Sequence, residues 1–184
     1  MLFRSGEPDG GRIGNRGRNS WAALFGERKV LNLGFGWDRT QNVLKRIALG
    51  ELDGIDPKVI VIHIGTNNLA TTAQHRAETP EQISEGITAI VDRAQSKCPN
   101  AQVILMAIFP RDKGAMNPYR TSIGEINKLL APLAQKPRVT FLDITDKWLG
   151  PDGAVSEELM PGSLHPNEKG YAVWAEALRP LLPN

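Results

Sequence analysis

Val59-Ile60-Val61-Ile62-His63-Ile64-Gly65-Thr66-Asn67-Asn68 is the stretch that decides the fold. Residues 59–64 are nearly all β-branched and apolar, run without alternation, and stop abruptly at Gly-Thr-Asn-Asn. An uninterrupted Val/Ile run of this length reads as a strand buried on both faces, the centre of a parallel sheet covered by helices. A buried helix is the competing reading, and the β-branching with the sudden polar stop counts against it. Ligands of such sheets bind beyond the carboxyl ends of the strands. Asn67 and Asn68 therefore stand at the edge of a site.

Working outward from this strand, the elements alternate. Ahead of it, Val30-Leu31-Asn32-Leu33 reads as a short strand and Gly34-Phe35-Gly36-Trp37 as a turn. Asp38, with Gln41 three residues on, resembles a capping box that starts a helix. Val43, Leu44, Ile47 and Ala48 give that helix one apolar face, and Gly50 ends it. After the strand comes a polar loop through Glu78. Thr79-Pro80-Glu81 then starts a helix with Thr as cap and Pro in first position, its buried stripe Ile83, Ile87, Ile90 and Val91. Residues 103–108 form a second continuous apolar strand, residues 121–135 a helix, residues 139–143 a strand, and residues 166–178 a last helix. The pattern predicts a three-layer α/β/α sandwich with a central parallel sheet.

Residues 1–20 are atypical. Leu2 and Phe3 look like strand, but Ser5 to Asn19 holds five glycines and three arginines with almost no apolar residue, which is loop composition. Trp21 to Phe25 is a short helical turn closed by Gly26. A single domain over 1–184 is expected at this length. A net charge of +2 gives no reason to invoke nucleic acid. One cysteine, Cys98, allows no internal disulfide and fits a reducing, cytoplasmic setting. No run approaches the ~18–20 apolar residues of a membrane span, and Met1 to Gly6 has no signal-peptide hydrophobic region.

Three motifs now add up. Asn32-Leu33-Gly34-Phe35-Gly36-Trp37-Asp38-Arg39-Thr40-Gln41-Asn42-Val43-Leu44, then Gly65-Thr66-Asn67-Asn68, then Leu164-His165-Pro166-Asn167-Glu168-Lys169-Gly170-Tyr171 resemble the SGNH (GDSL-like) hydrolases, most of all their platelet-activating-factor acetylhydrolase-like branch. The resemblance covers the chain from Trp21 onward. It implies a flavodoxin-like sandwich and an esterase or lipase that works through an acyl-enzyme, with no cofactor and no metal. It also implies a small acyl ester as substrate and admits a homodimer. In that family a serine of a Gly-Asp-Ser motif after the first strand attacks, and a histidine, held by an aspartate three residues earlier, is the base. The serine N–H, a glycine N–H and an asparagine side chain receive the oxyanion.

Carried over residue by residue, Asn67 matches the oxyanion asparagine and His165 the base. Trp37 stands where the family has the oxyanion glycine, so its N–H would be the second donor. Gly162 stands at the aspartate position. No Gly-Asp-Ser is present, and Ser5 is the only serine or threonine near the nucleophile position. A carbonyl of Gly162 or Ser163, or Asp152 folding back, would have to orient His165. His63 reads as a core or rim histidine and His75 as exposed. Two readings follow. In the first, the chain is an SGNH-type esterase using Ser5, His165, Asn67 and residue 37. In the second, it keeps the fold without the chemistry, as an impaired or engineered variant acting as a binding or assembly module. A third, a nucleotide-binding flavodoxin-like protein, is weak because Gly34 to Asp38 is no phosphate fingerprint.

Overall fold

The computed structural model describes residues 2–4 (backbone only), 16–26 and 28–183. Its sheet has four parallel strands in the order β1-β2-β3-β4: β1 (Leu2–Arg4), β2 (Val59–His63), β3 (Gln102–Met106) and β4 (Val139–Leu142). Val61 lies level with Leu2 on one side and Ile104 on the other. Ile104 in turn is level with Thr140.

The missing alternation in β2 has a direct cause, because helices cover both faces. Ile60 and Ile62 join the core formed with α2 (Thr40–Ala48), α3 (Pro80–Lys97) and α4 (Pro118–Leu130). Val61 points the other way, into the core shared by α1 (Arg18–Phe25), α5 (Glu168–Leu178) and Trp148. Three connections that step the same way along a parallel sheet with the same hand land on the same face. Accordingly α2 packs on α3 and α3 on α4, while α1 packs on α5 across the sheet. The chain changes face between α1 and α2.

Local chemistry sets the element ends, and in five places they differ from the sequence reading. Residues 30–33 form no strand among the described residues, and only Asn32 makes a bridge. The Asn32 side chain accepts the N–H of Gly34 at 3.1 Å, a local bond that competes with ladder pairing. Helix α2 starts at Thr40 rather than at Asp38. Asp38 is unavailable as a cap because both its carboxylate oxygens, at 2.9 Å, take the Arg46 guanidinium. Helix α4 starts earlier than expected, at Pro118, because Asn117 caps it by accepting the Arg120 N–H at 3.0 Å, and Pro suits the first helical position. Residues 131–135 tighten into a 3-10 turn. Helix α5 starts at Glu168, capped by Asn167 through the Gly170 N–H at 3.1 Å. No described helix is long and apolar enough to cross a membrane.

Candidate active site

At the end of β2 the backbone turns at Gly65, where φ is 118°. A Cβ there would meet Ile108 Cδ1 at 2.7 Å, so only glycine fits both the angle and the space. The following 3-10 turn, Thr66–Leu69, sends Asn67 and Asn68 in different directions. The Asn67 amide donates one N–H to the carbonyl of Asp38 at 3.0 Å. An amide nitrogen carries two N–H groups. The first fixes the plane of the amide, and the second meets no acceptor among the described residues.

Asn68 is fully buried and holds the corner together. Its oxygen accepts the N–H of Thr40 at 3.1 Å. Its nitrogen reaches Thr40 Oγ1 at 3.0 Å, Gln41 Oε1 at 3.2 Å and Glu78 Oε2 at 2.7 Å. The other oxygen of Glu78 takes Arg39 at 2.9 Å and Gln41 at 2.7 Å, and Arg39 also donates to the carbonyl of Arg76. Successive residues Asp38 and Arg39 are thus buried and paired in opposite directions, one with Arg46 and one with Glu78. Burial pulls the Arg46 guanidinium down, but the hydrogen bonds and charges of Asp38 and Glu51 outweigh it and hold its pKa above the ordinary value. Trp37, immediately before this clamp, has φ 64° and leaves its indole 75 % exposed. Among the described residues nothing accepts its N–H.

His165 sits on a bend just ahead of α5, half-buried, between a buried Leu-flanking Ser163 and a buried Pro166. The stretch before it is a series of turns. Gly162 has φ 71°, is exposed, and gives its N–H to Glu157 at 3.2 Å. No carboxylate stands at position 162, and Asp152 is spent in its own turn on the N–H of Ala154 at 3.0 Å. The carbonyl of Ser163 accepts the N–H of Asp112 at 2.8 Å. After His165, Glu168 reaches across to α1. Its carboxylate accepts the N–H of Ser20 at 2.7 Å and of Asn19 at 3.2 Å, along with the Ser20 hydroxyl. Helix α1 has Gly17 at its cap position and no side-chain cap of its own, so Glu168 caps it from a distance. The Ser20 hydroxyl holds the Glu168 carboxyl below the usual carboxylate range; burial opposes it, and the N–H groups of the α1 start add to the lowering. Gly170 lets α5 approach, because a Cβ there would lie 2.4 Å from the carbonyl of Leu159.

The loop after β3 ties the two corners together. Arg111 donates to the carbonyl of Thr66 at 3.1 Å, next to Asn67, and its guanidinium lies 4.5 Å from the centre of the Tyr119 ring. The next residue, Asp112, bonds the Ser163 carbonyl, two residues before His165. Asn127 fixes the root of this loop by taking both the N–H and the carbonyl of Ile108, at 2.8 and 3.0 Å. Four described non-glycine residues have positive φ: Trp37, Asp112, Arg138 and Ser163. Three of them stand at this edge, and strained backbone of this kind gathers at functional sites.

Of the expected site residues, Asn67 and Trp37 come together through Asp38, and His165 joins their edge through Thr66, Arg111, Asp112 and Ser163. Ser5 lies outside the described residues. His63 is an aromatic rim residue, its ring 4.2 Å from that of Phe109 and 5.2 Å from that of Trp174. His75 is exposed. Sequence reasoning placed Asn68 at the site edge without seeing it as the buried tie, and it assigned no role to Arg39, Glu78 or Glu168. Asn68 carried a signal, since an asparagine following a buried strand needs partners for its amide. Glu78 carried none, because it sits in a polar loop 39 residues from Arg39. Among the described residues cavities lie elsewhere, including one of about 90 Å³ between α1 and α5, one of about 380 Å³ by Lys58 and Val59 at the amino end of β2, and one of about 350 Å³ by Leu31 and Ile55. No group of three or more metal-ligating side chains occurs among the described residues.

Known proteins resemble the whole arrangement. The sequence pattern of the GDSL-like lipase/acylhydrolase family matches residues 6–173. The human platelet-activating factor acetylhydrolase IB subunit alpha1 is 39% identical over 163 residues, covering 88% of this chain and 67% of that protein. Subunit alpha2 of Rattus norvegicus is 37% identical over 163 residues, covering 88% and 68%. Among solved structures, an acetyl xylan esterase superposes with a TM-score of 0.77 at 17% identity, covering 99% of this chain and 98% of that one. An acetylxylan esterase of Geobacillus stearothermophilus superposes with a TM-score of 0.70 at 16% identity, covering 100% and 94%. At such identities the superpositions speak for the fold alone.

Proposed function

The chain belongs to the GDSL-like lipase/acylhydrolase family, and from that premise we infer that it hydrolyses small acyl esters through an acyl-enzyme. The observation that carries this reading is the Asn67 amide, oriented by the Asp38 carbonyl so that its second N–H is preset for an oxyanion. The N–H of Trp37 is the second donor. His165 is the base. The nucleophile is Ser5, the residue that follows Arg4, and Arg4 ends β1 level with His63.

The steps follow from these roles. The serine hydroxyl attacks the ester carbonyl while His165 takes its proton. The carbonyl oxygen becomes an oxyanion between Asn67 and residue 37. The intermediate collapses, His165 returns the proton to the leaving alcohol, and the acyl group stays on the serine. Water then repeats the sequence and frees the acid. The acetylhydrolase named among the relatives supports a short acyl group. Donors that are fixed before the reaction need no reorganisation during it, and one such donor is worth about 10²–10³ in rate.

One observation favours a second reading, a binding or assembly module on the same scaffold. Gly162 stands where a carboxylate would orient His165, and Asp152 is committed to its own turn. Hydrolysis of p-nitrophenyl acetate decides between the two, with a serine-reactive organophosphate and intact-mass readout on the same sample. Turnover with one adduct mapped to Ser5 is the expected result. A folded protein with neither turnover nor adduct would overturn the hydrolase reading in favour of the module.

A further inference from the structure

Trp37 carries two costs at once. Its backbone is left-handed, with φ 64°, a region that bulky L-residues avoid. Its indole is 75 % exposed, so burial does not compensate. Six large apolar side chains are exposed among the described residues, and three of them, Leu31, Phe35 and Trp37, fall within one seven-residue segment. The ring of Phe35 has the Arg46 guanidinium over one face, 4.5 Å from its centre. Among the described residues no cation or ring covers the indole of Trp37. Its backbone is also pinned more firmly than an idle surface residue requires, since Asp38 and Arg39 beside it are both buried in ion pairs. The side chain therefore leaves the main chain at a fixed point, one bond from the N–H that faces the reacting carbonyl. A residue so close to the reacting atoms meets the substrate before it meets any larger partner.

We propose that the Trp37 indole is the substrate's apolar platform, a specificity-determining surface that selects esters bearing an alkyl or aryl group larger than methyl. The apolar group lies on the indole face while the carbonyl oxygen lies against the N–H of the same residue. This deepens the ester-hydrolase reading and rests on it, so the test separates the two.

The rate arm uses two substrate pairs, p-nitrophenyl hexanoate against p-nitrophenyl acetate for a group on the acyl side, and hexyl acetate against methyl acetate for a group on the alcohol side. In Trp37→Gly the long-over-short ratio of kcat/KM falls by about tenfold or more in one pair, while Trp37→Phe, which keeps a flat apolar face, holds it within about threefold. The binding arm needs no turnover. In the ¹⁵N-labelled protein, the indole N–H signal that disappears in Trp37→Phe shifts with hexanamide and stays still with acetamide. A wild-type ratio that Trp37→Gly leaves unchanged overturns the proposal. An indole signal that moves only with phosphatidylcholine vesicles also overturns it, in favour of a membrane contact. No turnover together with a hexanamide shift sinks the hydrolase reading and keeps the platform. No turnover and no shift sinks both.

Discussion

The turn that carries Trp37 and the stretch that carries His165 meet at one edge of the sheet, but they are held there by different means. The first is locked by buried groups: Asn68 with bonds to Thr40, Gln41 and Glu78, and the pairs Asp38–Arg46 and Arg39–Glu78. The second hangs on turns. Its charged contacts, Lys113–Glu157 and Lys169–Glu158, are exposed, and it is anchored by the backbone bond to Asp112 and by the start of α5. Buried polar groups that find partners stiffen a site, whereas exposed ion pairs contribute little; in the first part Arg39 Nε alone is buried without a partner among the described atoms of the Asn68–Glu78–Arg39 corner. On the roles proposed above, the oxyanion donors would sit on the part locked by buried groups and the base on the part held by turns. That division suits the chemistry, since donors act best when fixed and the base must pass a proton between two oxygens.

The comparison can be broken most severely at the base. His165→Ala should lower ester turnover by about 10³-fold or more while leaving the thermal midpoint near that of the wild type. Unchanged turnover, read by p-nitrophenyl acetate hydrolysis, would remove His165 from the site. Next in size, Asn67→Ala should lower kcat by about 10²–10³ with KM little changed, the signature of a donor used in the transition state. A pure KM effect would assign Asn67 to ground-state binding.

The neighbouring asparagine should behave oppositely. Asn68→Ala should cost about 2–3 kcal/mol of stability in urea unfolding, because it strands the N–H of Thr40 and one oxygen of Glu78 in a buried corner. If stability holds and only activity falls, the corner is not the rigid half. Acid should loosen the other half. The Glu168 carboxyl is held below its ordinary range by Ser20 and the start of α1. Its contribution is complete above the unfolded-state value and is lost as pH falls through the lowered folded value. The stability gap between wild type and Glu168→Gln should therefore be widest near neutrality and close below about pH 4. A gap that does not change with pH would mean that the carboxylate's charge is not what holds α1. The smallest effect belongs to the exposed pair. Lys113→Ala should leave the urea midpoint unchanged within error, and a clear drop would show that the turns before His165 depend on Glu157 more than their exposure suggests.

Much of this was legible in the residues. The unbroken Val/Ile run read as a strand covered on both sides ahead of the buried-helix alternative, and the period-matched stripe of α3 reported the face it buries, as did that of α2 apart from Ala48, which is exposed. These are local facts of spacing and side-chain shape, repeated over many residues, so they survive small errors at element ends. The loss of the strand at 30–33 and the shift of the α2 start came from single side chains, Asn32 and Asp38, choosing partners that spacing alone does not disclose.

For the candidate site, the glycine turn that ends β2 was legible in the residues, and Asn67 and His165 were named from the family resemblance. Only the tertiary structure decided that Asn67 donates to Asp38, that Asn68 is the buried tie, that Glu78 neutralises Arg39, and that Glu168 caps a helix almost 150 positions away in the chain. The reason is physical. Apolar periodicity is written into consecutive residues because each helix or strand must bury a whole face, whereas a polar group is satisfied by one partner whose distance along the chain is unconstrained. Which of several nearby carboxylates or amides meets which donor is fixed when the helices dock.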